Sequence, residues 1–216
     1  MRVKICGITS GQDAALAVQA GADAIGIMFA PSPRKVDRNA ADRIVSVLPP
    51  FVVAVGVFVD APLEWVREMA TGLHLGAVQL SGDEPLEYVA ALAPLRVIKA
   101  VRVVGPESLE APSSWARGER PANLAAIHLD TGVAGQHGGT GRSFDWSLAA
   151  DLRRSGGAAL PMILAGGLRP ENVAEAVRVV RPYAVDVSSG VEAEPGRKDP
   201  EKVRRFVAEA RSVPDA

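Results

Sequence analysis

Short apolar runs alternate with segments of helical periodicity along the whole chain. The runs predict eight strands, which end about 21 to 35 residues apart at Cys6, Phe29, Phe58, Leu80, Val101, Asp130, Ala165 and Val187. Near-continuous apolar strands that alternate with helices are typical of parallel sheets. We therefore predict an α/β protein, a single-domain (β/α)8 TIM barrel over residues 1–216. A doubly wound open sheet is the alternative, but it usually has fewer strands and no G-x-G-x-x-G follows the first one.

Capping signals predict where several helices begin. Ser10 is the expected N-cap of the first helix, and Asp199 followed by Pro200 is the expected start of the last one. The stretch from Val103 to Asn123 differs, because Gly105, Pro106, Pro112 and Pro121 divide it. We predict short turns there.

The composition limits the kinds of partner. The chain is 48% hydrophobic and 23% charged with a formal net charge of -1, which argues against disorder and against nucleic-acid or membrane partners. No apolar run reaches the roughly 20 residues that span a bilayer. Cys6 is the only cysteine, so no internal disulfide can form, and the chain opens on a charged strand; we expect a cytoplasmic protein. Three scattered histidines and one cysteine supply no zinc site.

In a barrel enzyme the active site lies at the carboxyl ends of the strands. The polar candidates at these ends are Cys6, Arg34, Gln79, Asp130 and Asp186. Held partly out of water, the Asp130 carboxyl group would have a raised pKa and act as a general acid, although an aspartate here is also a common loop cap. Cys6 alone would be an ordinary core residue, and its place at a strand end makes it a candidate base.

Lys4 shares strand parity with Cys6, so the two side chains are expected on the same face of the first strand. An ammonium group near the thiol would favour the thiolate and suit a base. The interpretation that we favour for Lys4 is an internal ion pair with Asp186. The two ideas are compatible.

Glycine-rich segments follow three consecutive strands, the sixth to the eighth. They are Gly138-Gly139-Thr140-Gly141, Gly166-Gly167 and Ser188-Ser189-Gly190. Exposed backbone N–H groups at such exits bind phosphate, and barrels often place phosphate after strands seven and eight. One such segment alone would indicate a tight turn, but three neighbouring ones predict a phosphate site. None matches the nucleotide P-loop pattern.

Arg34 lies in a loop stiffened by two prolines, where its guanidinium could hold a second anionic group such as a carboxylate instead of being a solvated charge. The residues thus predict a phosphorylated small-molecule substrate with another acidic group. They also predict an acid/base pair that works without a metal or nucleotide cofactor.

The sequence resembles the phosphoribosylanthranilate isomerase family over essentially its whole length. The matching segments, in order, are Lys4-Ile5-Cys6-Gly7-Ile8-Thr9, Ser32-Pro33-Arg34, Val55-Gly56-Val57-Phe58, Val78-Gln79-Leu80, Ile98-Lys99-Ala100, Leu129-Asp130, Gly138-Gly139-Thr140-Gly141, Leu164-Ala165-Gly166-Gly167-Leu168 and Val185-Asp186-Val187-Ser188-Ser189-Gly190-Val191-Glu192. This resemblance implies an Amadori rearrangement in tryptophan biosynthesis, with Cys6 as general base and Asp130 as general acid. Arg34 would bind the anthranilate carboxylate. The other implied substrate-binding residues are Gln79, Gly141, Gly166, Gly167, Asp186, Ser189 and Gly190.

One position departs from the family pattern. Ser81 stands where the family usually has histidine, so any role of that histidine is absent or belongs to another group. Two rival functions stay open: the related aminoaldose isomerase of the histidine pathway, which uses two aspartates, and a phosphate-binding barrel without catalysis. We expect a monomer or homodimer.

Overall fold

A computed structural model of the chain describes residues 1–116, 120–131, 144–154 and 160–214. The strands are β1 Arg2–Cys6, β2 Ala24–Met28, β3 Val53–Phe58, β4 Ala77–Leu80, β5 Val97–Val103, β6 Leu124–Thr131, β7 Met162–Leu164, β8 Ala184–Val187, β9 Glu192–Glu194 and β10 Arg197–Lys198. The helices are α1 Gly11–Gln19, α2 Arg38–Val45, α3 Leu63–Gly72, α4 Leu86–Ala91, α5 Glu110–Ala116, α6 Trp146–Arg154, α7 Val173–Val180 and α8 Pro200–Arg211.

Strands β1 to β8 form a closed barrel in chain order, and every neighbouring pair is parallel. Closure is made by β1 and β8, where Lys4 lies opposite Asp186. The predicted (β/α)8 barrel is therefore confirmed. Strands β9 and β10 form a separate antiparallel hairpin just after the eighth strand.

The apolar core has two parts, as the alternation of side chains along each strand requires. The larger cluster packs the outer faces of the strands against the helices. The smaller cluster consists of residues with inward parity: Val55, Ala77, Ile98, Ala126, Ile163 and Ala184. Further along the same faces come polar residues instead, so the barrel interior is apolar at its base and polar toward the carboxyl ends of the strands.

The predicted helix caps are confirmed. The Ser10 hydroxyl accepts a hydrogen bond from the Asp13 N–H, and the Asp199 carboxylate accepts from the N–H groups of Glu201 and Lys202. Each cap satisfies backbone donors that the first helical turn leaves free.

The prediction of turns between Val103 and Asn123 was wrong in part. Residues Pro106–Leu109 form a 3-10 helix, and α5 follows it directly. Pro112 is the third residue of α5, in the first turn, where the missing N–H would have no helical partner.

No helix in the described part of the chain is long and apolar enough to cross a membrane.

Candidate active site at the carboxyl ends of the strands

A cavity of about 470 Å³ opens at the carboxyl ends of the barrel strands. Nine of the predicted site residues line it: Cys6, Arg34, Gln79, Asp130, Gly166, Gly167, Asp186, Ser189 and Gly190. The tenth, Gly141, lies outside the described residues, as does the rest of its glycine-rich segment. Strand order explains the convergence, because the carboxyl ends of parallel barrel strands meet at one face.

Cys6 ends β1 and is buried. It packs against the backbone of β2, where a Cβ on Gly26 would lie 2.5 Å from the Cys6 sulfur. Burial raises the pKa of the Cys6 thiol above its ordinary value of 9.0, and this outweighs the Lys4 ammonium, which lowers it. The predicted effect of Lys4 thus has the right sign, but the resting residue is a thiol and not a thiolate.

Asp130 lies near the end of β6, and its carboxylate accepts a hydrogen bond of 2.8 Å from the N–H of Thr131. Burial raises the pKa of Asp130 above its ordinary value of 3.8; the nearby His128 and the Thr131 N–H offset this only in part. A carboxyl group that holds its proton to higher pH is suited to general-acid chemistry.

Below these two residues lies a buried charge network. Lys4 Nζ lies 2.7 Å from Asp186 Oδ2, as the strand pattern predicted, and His128 Nε2 lies 2.8 Å from the same oxygen. Burial alone would raise the pKa of Asp186, but the ammonium and the histidine hydrogen bond lower it to about 2. Asp186 is therefore ionised while Asp130 is biased toward its protonated form. His128 was not among the predicted site residues. Its position two residues before Asp130, on the same face of β6, is the signal that would have indicated its contact with Asp186.

Arg34 reaches the cavity from the loop after β2, and it is already paired. Its Nε and Nη2 donate to the two carboxylate oxygens of Glu192 at 2.7 and 2.6 Å. Lys198 Nζ donates to the same carboxylate at 2.8 Å and to the Ser188 carbonyl at 3.2 Å. Glu192 and Lys198 belong to the β9–β10 hairpin, which therefore orients Arg34. Glu192 and Lys198 were not among the predicted site residues.

The exits of β7 and β8 pack backbone against backbone. Gly166 has φ of +82°, which only glycine adopts without strain, and an added Cβ there would also collide with Thr131. A Cβ on Gly190 would collide with the Leu168 carbonyl oxygen. Glycine therefore lets the exit of β7 lie against the end of β6, and lets the exit of β8 lie against the loop after β7, at the edge of the cavity.

On the opposite side, the exits of β4 and β5 carry polar side chains. Gln79 Nε2 donates to the Ser81 hydroxyl at 3.1 Å, and Arg102 Nη2 donates to the Ser81 carbonyl at 3.2 Å. Arg102 lines the cavity but was not among the predicted site residues. Its parity with Ile98, which faces the barrel interior, is the signal that would have found it.

Metal-binding groups are not assembled in the described part of the barrel: no three His, Cys, Asp or Glu side chains lie close enough there to hold an ion.

Comparisons with known proteins point to one family. The family model described as N-(5'phosphoribosyl)anthranilate (PRA) isomerase matches residues 3–209. The curated N-(5'-phosphoribosyl)anthranilate isomerase of Geobacter sp. (strain M21) is 52% identical over 213 residues, which cover 98% of this chain and 98% of the relative.

Solved structures agree with the sequence match. The crystal structure of phosphoribosyl anthranilate isomerase from Thermotoga maritima has a TM-score of 0.88 at 42% identity, covering 99% of this chain and 100% of that chain. A phosphoribosyl anthranilate isomerase in complex with reduced 1-(o-carboxyphenylamino)-1-deoxyribulose 5-phosphate has a TM-score of 0.85 at 42% identity, with the same coverage.

Proposed function

Because this chain belongs to the N-(5'-phosphoribosyl)anthranilate isomerase family, we propose that it catalyses the Amadori rearrangement of N-(5'-phosphoribosyl)anthranilate. The product is 1-(2-carboxyphenylamino)-1-deoxyribulose 5-phosphate, and the step belongs to tryptophan biosynthesis. The observation that carries the proposal is that Cys6 and Asp130, the acid/base pair implied by the family pattern, line one cavity with the glycine exits.

Asp130 is the proposed general acid. Its proton goes to the ribose ring oxygen, the bond between that oxygen and C1' breaks, and the ring opens to a protonated Schiff base with the anthranilate nitrogen. The raised pKa of Asp130 supports this role, because an ordinary aspartate would hold little proton near neutral pH.

Cys6 is the proposed general base. As a thiolate it removes the proton from C2', and the electron pair of that C–H bond moves toward the Schiff base to give an enolamine. The enolamine then tautomerises: the C2' hydroxyl loses its proton as C2'=O forms, and the electron pair of the C1'=C2' bond takes up a proton to make a new C–H bond at C1', which gives the ketose product. Lys4, which lowers the pKa of Cys6 against the effect of burial, increases the fraction of thiolate.

The remaining site residues bind the substrate in this proposal. Gly166, Gly167, Ser189 and Gly190, together with Gly141, bind the sugar phosphate through the loops after the last strands. Arg34, held by the hairpin, contacts the anthranilate carboxylate.

Gln79 and Asp186 bind ribose hydroxyl groups in the same proposal. Each has one buried side-chain oxygen, Oε1 and Oδ1 respectively, that finds no hydrogen-bond partner among the described residues. Such an oxygen can accept a hydrogen bond from a substrate hydroxyl. Their positions on the cavity lining support this role.

A phosphorylated small molecule is the partner that this function requires, with no nucleic acid, membrane or cofactor. We place the reaction in the cytoplasm, where the single thiol of Cys6 stays reduced. The assembly is a monomer or homodimer.

A fluorescence assay of phosphoribosylanthranilate consumption, run beside the aminoaldose of the histidine pathway, tests the proposal. We expect turnover of the first substrate. Turnover of the second substrate only would overturn the assignment. Turnover of neither, with tight binding of inorganic phosphate, would identify a barrel that binds phosphate without catalysis.

A further inference from the structure

We propose that Arg102 is a further substrate-binding residue. Its guanidinium, which has no carboxylate partner among the described residues, binds the anthranilate carboxylate of the substrate. The inference rests on the function proposed above. Arg102 is the sixth residue of β5, and the inward parity of Ile98 and Ala100 places its side chain over the cavity. Beside it, the Ser81 hydroxyl accepts a hydrogen bond from Gln79 Nε2.

Charge balance separates Arg102 from the other cationic groups of the site. Lys4 is paired with Asp186, and Arg34 and Lys198 share the carboxylate of Glu192. Within the described ranges Arg102 has one hydrogen bond, to the neutral carbonyl of Ser81, and no carboxylate lies within 4.0 Å of its nitrogens. Its charge is therefore available to an anionic ligand, whereas two donors of Arg34 are already used.

The position beside Asp130 fits the chemistry of the substrate. Arg102 and Asp130 are register partners on β5 and β6. Asp130 protonates the ring oxygen, which is bonded to C1', and C1' carries the anthranilate nitrogen. The carboxylate ortho to that nitrogen is thus only a few bonds from the atom that Asp130 protonates, which brings it within reach of Arg102 while Arg34 contacts it from the loop after β2.

Two ligands that differ only in the anthranilate carboxylate test the proposed contact with Arg102. The probes are reduced 1-(o-carboxyphenylamino)-1-deoxyribulose 5-phosphate and the same compound without its carboxylate. For Arg102→Gln, calorimetry should show about 10- to 100-fold weaker binding of the carboxylated ligand, as expected when a charge-assisted contact is lost. Binding of the second ligand should change less than about threefold, because it makes no such contact. Arg102→Lys, which keeps the charge, should fall between wild type and Arg102→Gln.

Arg96→Gln is the matched control, since it removes the same charge from the residue just before β5, at the far end of the barrel, and should leave both affinities unchanged. Equal losses for the two ligands in Arg102→Gln, or no loss for either, would overturn the inference. A second readout is the acid limb of the pH profile of kcat/KM, which should stay in place in Arg102→Gln. A shift of that limb to higher pH would mean that the arginine acts through Asp130.

The two proposals fail in different ways. If wild type does not turn over phosphoribosylanthranilate, the proposed function fails. If wild type turns it over and Arg102→Gln does not distinguish the paired ligands, only the assignment of Arg102 fails.

Discussion

In the proposed mechanism Cys6 and Asp130 act at different atoms of the substrate, so the role of each can be tested separately. We expect Cys6→Ala and Asp130→Asn each to lower kcat by about 100- to 10,000-fold, the usual contribution of a positioned acid or base. Affinity for the reduced product analogue should change little, because both groups act mainly in the transition state. Steady-state kinetics and calorimetry measure the two quantities. Turnover at the wild-type rate in either variant would remove that residue from the mechanism.

The pH dependence follows from the two raised pKa values. The proposed mechanism needs Asp130 protonated and Cys6 ionised, and both pKa values lie above their ordinary values of 3.8 and 9.0. The form with Asp130 protonated and Cys6 ionised is therefore a small fraction of the enzyme at every pH. As pH rises, kcat/KM should increase up to the pKa of Asp130, stay level, and decrease beyond the pKa of Cys6.

A profile of kcat/KM from pH 4 to 10 checks this expectation. An acid limb that ends at the pKa of an unperturbed aspartate, about 4, would contradict the assignment of Asp130. An alkaline limb centred below 9 would contradict that of Cys6.

The position of a single residue could be predicted where the apolar runs of the sequence located the end of a strand or the face of a strand on which the residue lies. The positions of Cys6 and Asp130 on the cavity lining could be predicted because strand ends can be read from apolar runs, and the parity of Lys4 indicated its pairing with Asp186. The partner of Arg34 could not be found in this way. Glu192 lies 158 positions further along, and no local pattern links a loop arginine to a residue at that distance.

The β9–β10 hairpin is the element that holds Arg34, through a carboxylate shared by two cationic groups. Side chains of Arg34, Glu192 and Lys198 are 15%, 5% and 0% exposed. Glu192→Gln leaves two largely buried charges without their counter-ion, which should cost about 3 kcal/mol of unfolding free energy. Urea unfolding measures the change.

Glu194→Gln, in the same hairpin, is the control. Glu194 pairs with Arg197, and both side chains are more than 60% exposed. Its loss should change the unfolding free energy by less than about 1 kcal/mol. Similar losses in the two variants would show that the burial of the Glu192 pair has no energetic effect.

At the level of elements, the sequence predicted eight strands in the correct order, because each is a short apolar run between polar segments. It was less successful after β5. The strand continues to Val103, and α5 includes Pro112, because a proline in the first turn does not prevent a helix. Counting prolines without their helical position therefore underestimated the helix content of this region.

For the whole molecule, the contributions of Asp130 and Asp186 to the free energy of unfolding should depend on pH in opposite ways. The folded-state pKa of Asp130 is raised, so the stability it contributes is present at low pH and is lost as pH rises through that value. Asp130→Asn keeps the acceptor for the Thr131 N–H and does not ionise. It should be more stable than wild type near neutral pH, with no difference at pH 3.

Asp186 should behave in the opposite way. Its pKa is lowered from 3.8 to about 2, so its contribution is present above pH 4 and is lost as pH falls through 2. The shift corresponds to about 2 kcal/mol, and Asp186→Asn also leaves Lys4 without its counter-ion. Urea unfolding of both variants at pH 3, 5 and 7 tests the pair. A stabilised Asp186→Asn variant at pH 7 would contradict the assignment of charges in the network.

Barrel closure joins strands from the two ends of the chain, and this has a consequence for synthesis. Lys4 and Asp186 are 182 positions apart. At about 5–20 residues per second, the first strand waits roughly 10–40 s for the eighth to leave the ribosome. Until β8 has been made, the edge of β1 that will pair with it has no partner. We expect Arg2 and Lys4 to oppose intermolecular pairing along that edge, because charged side chains on an edge strand disfavour it.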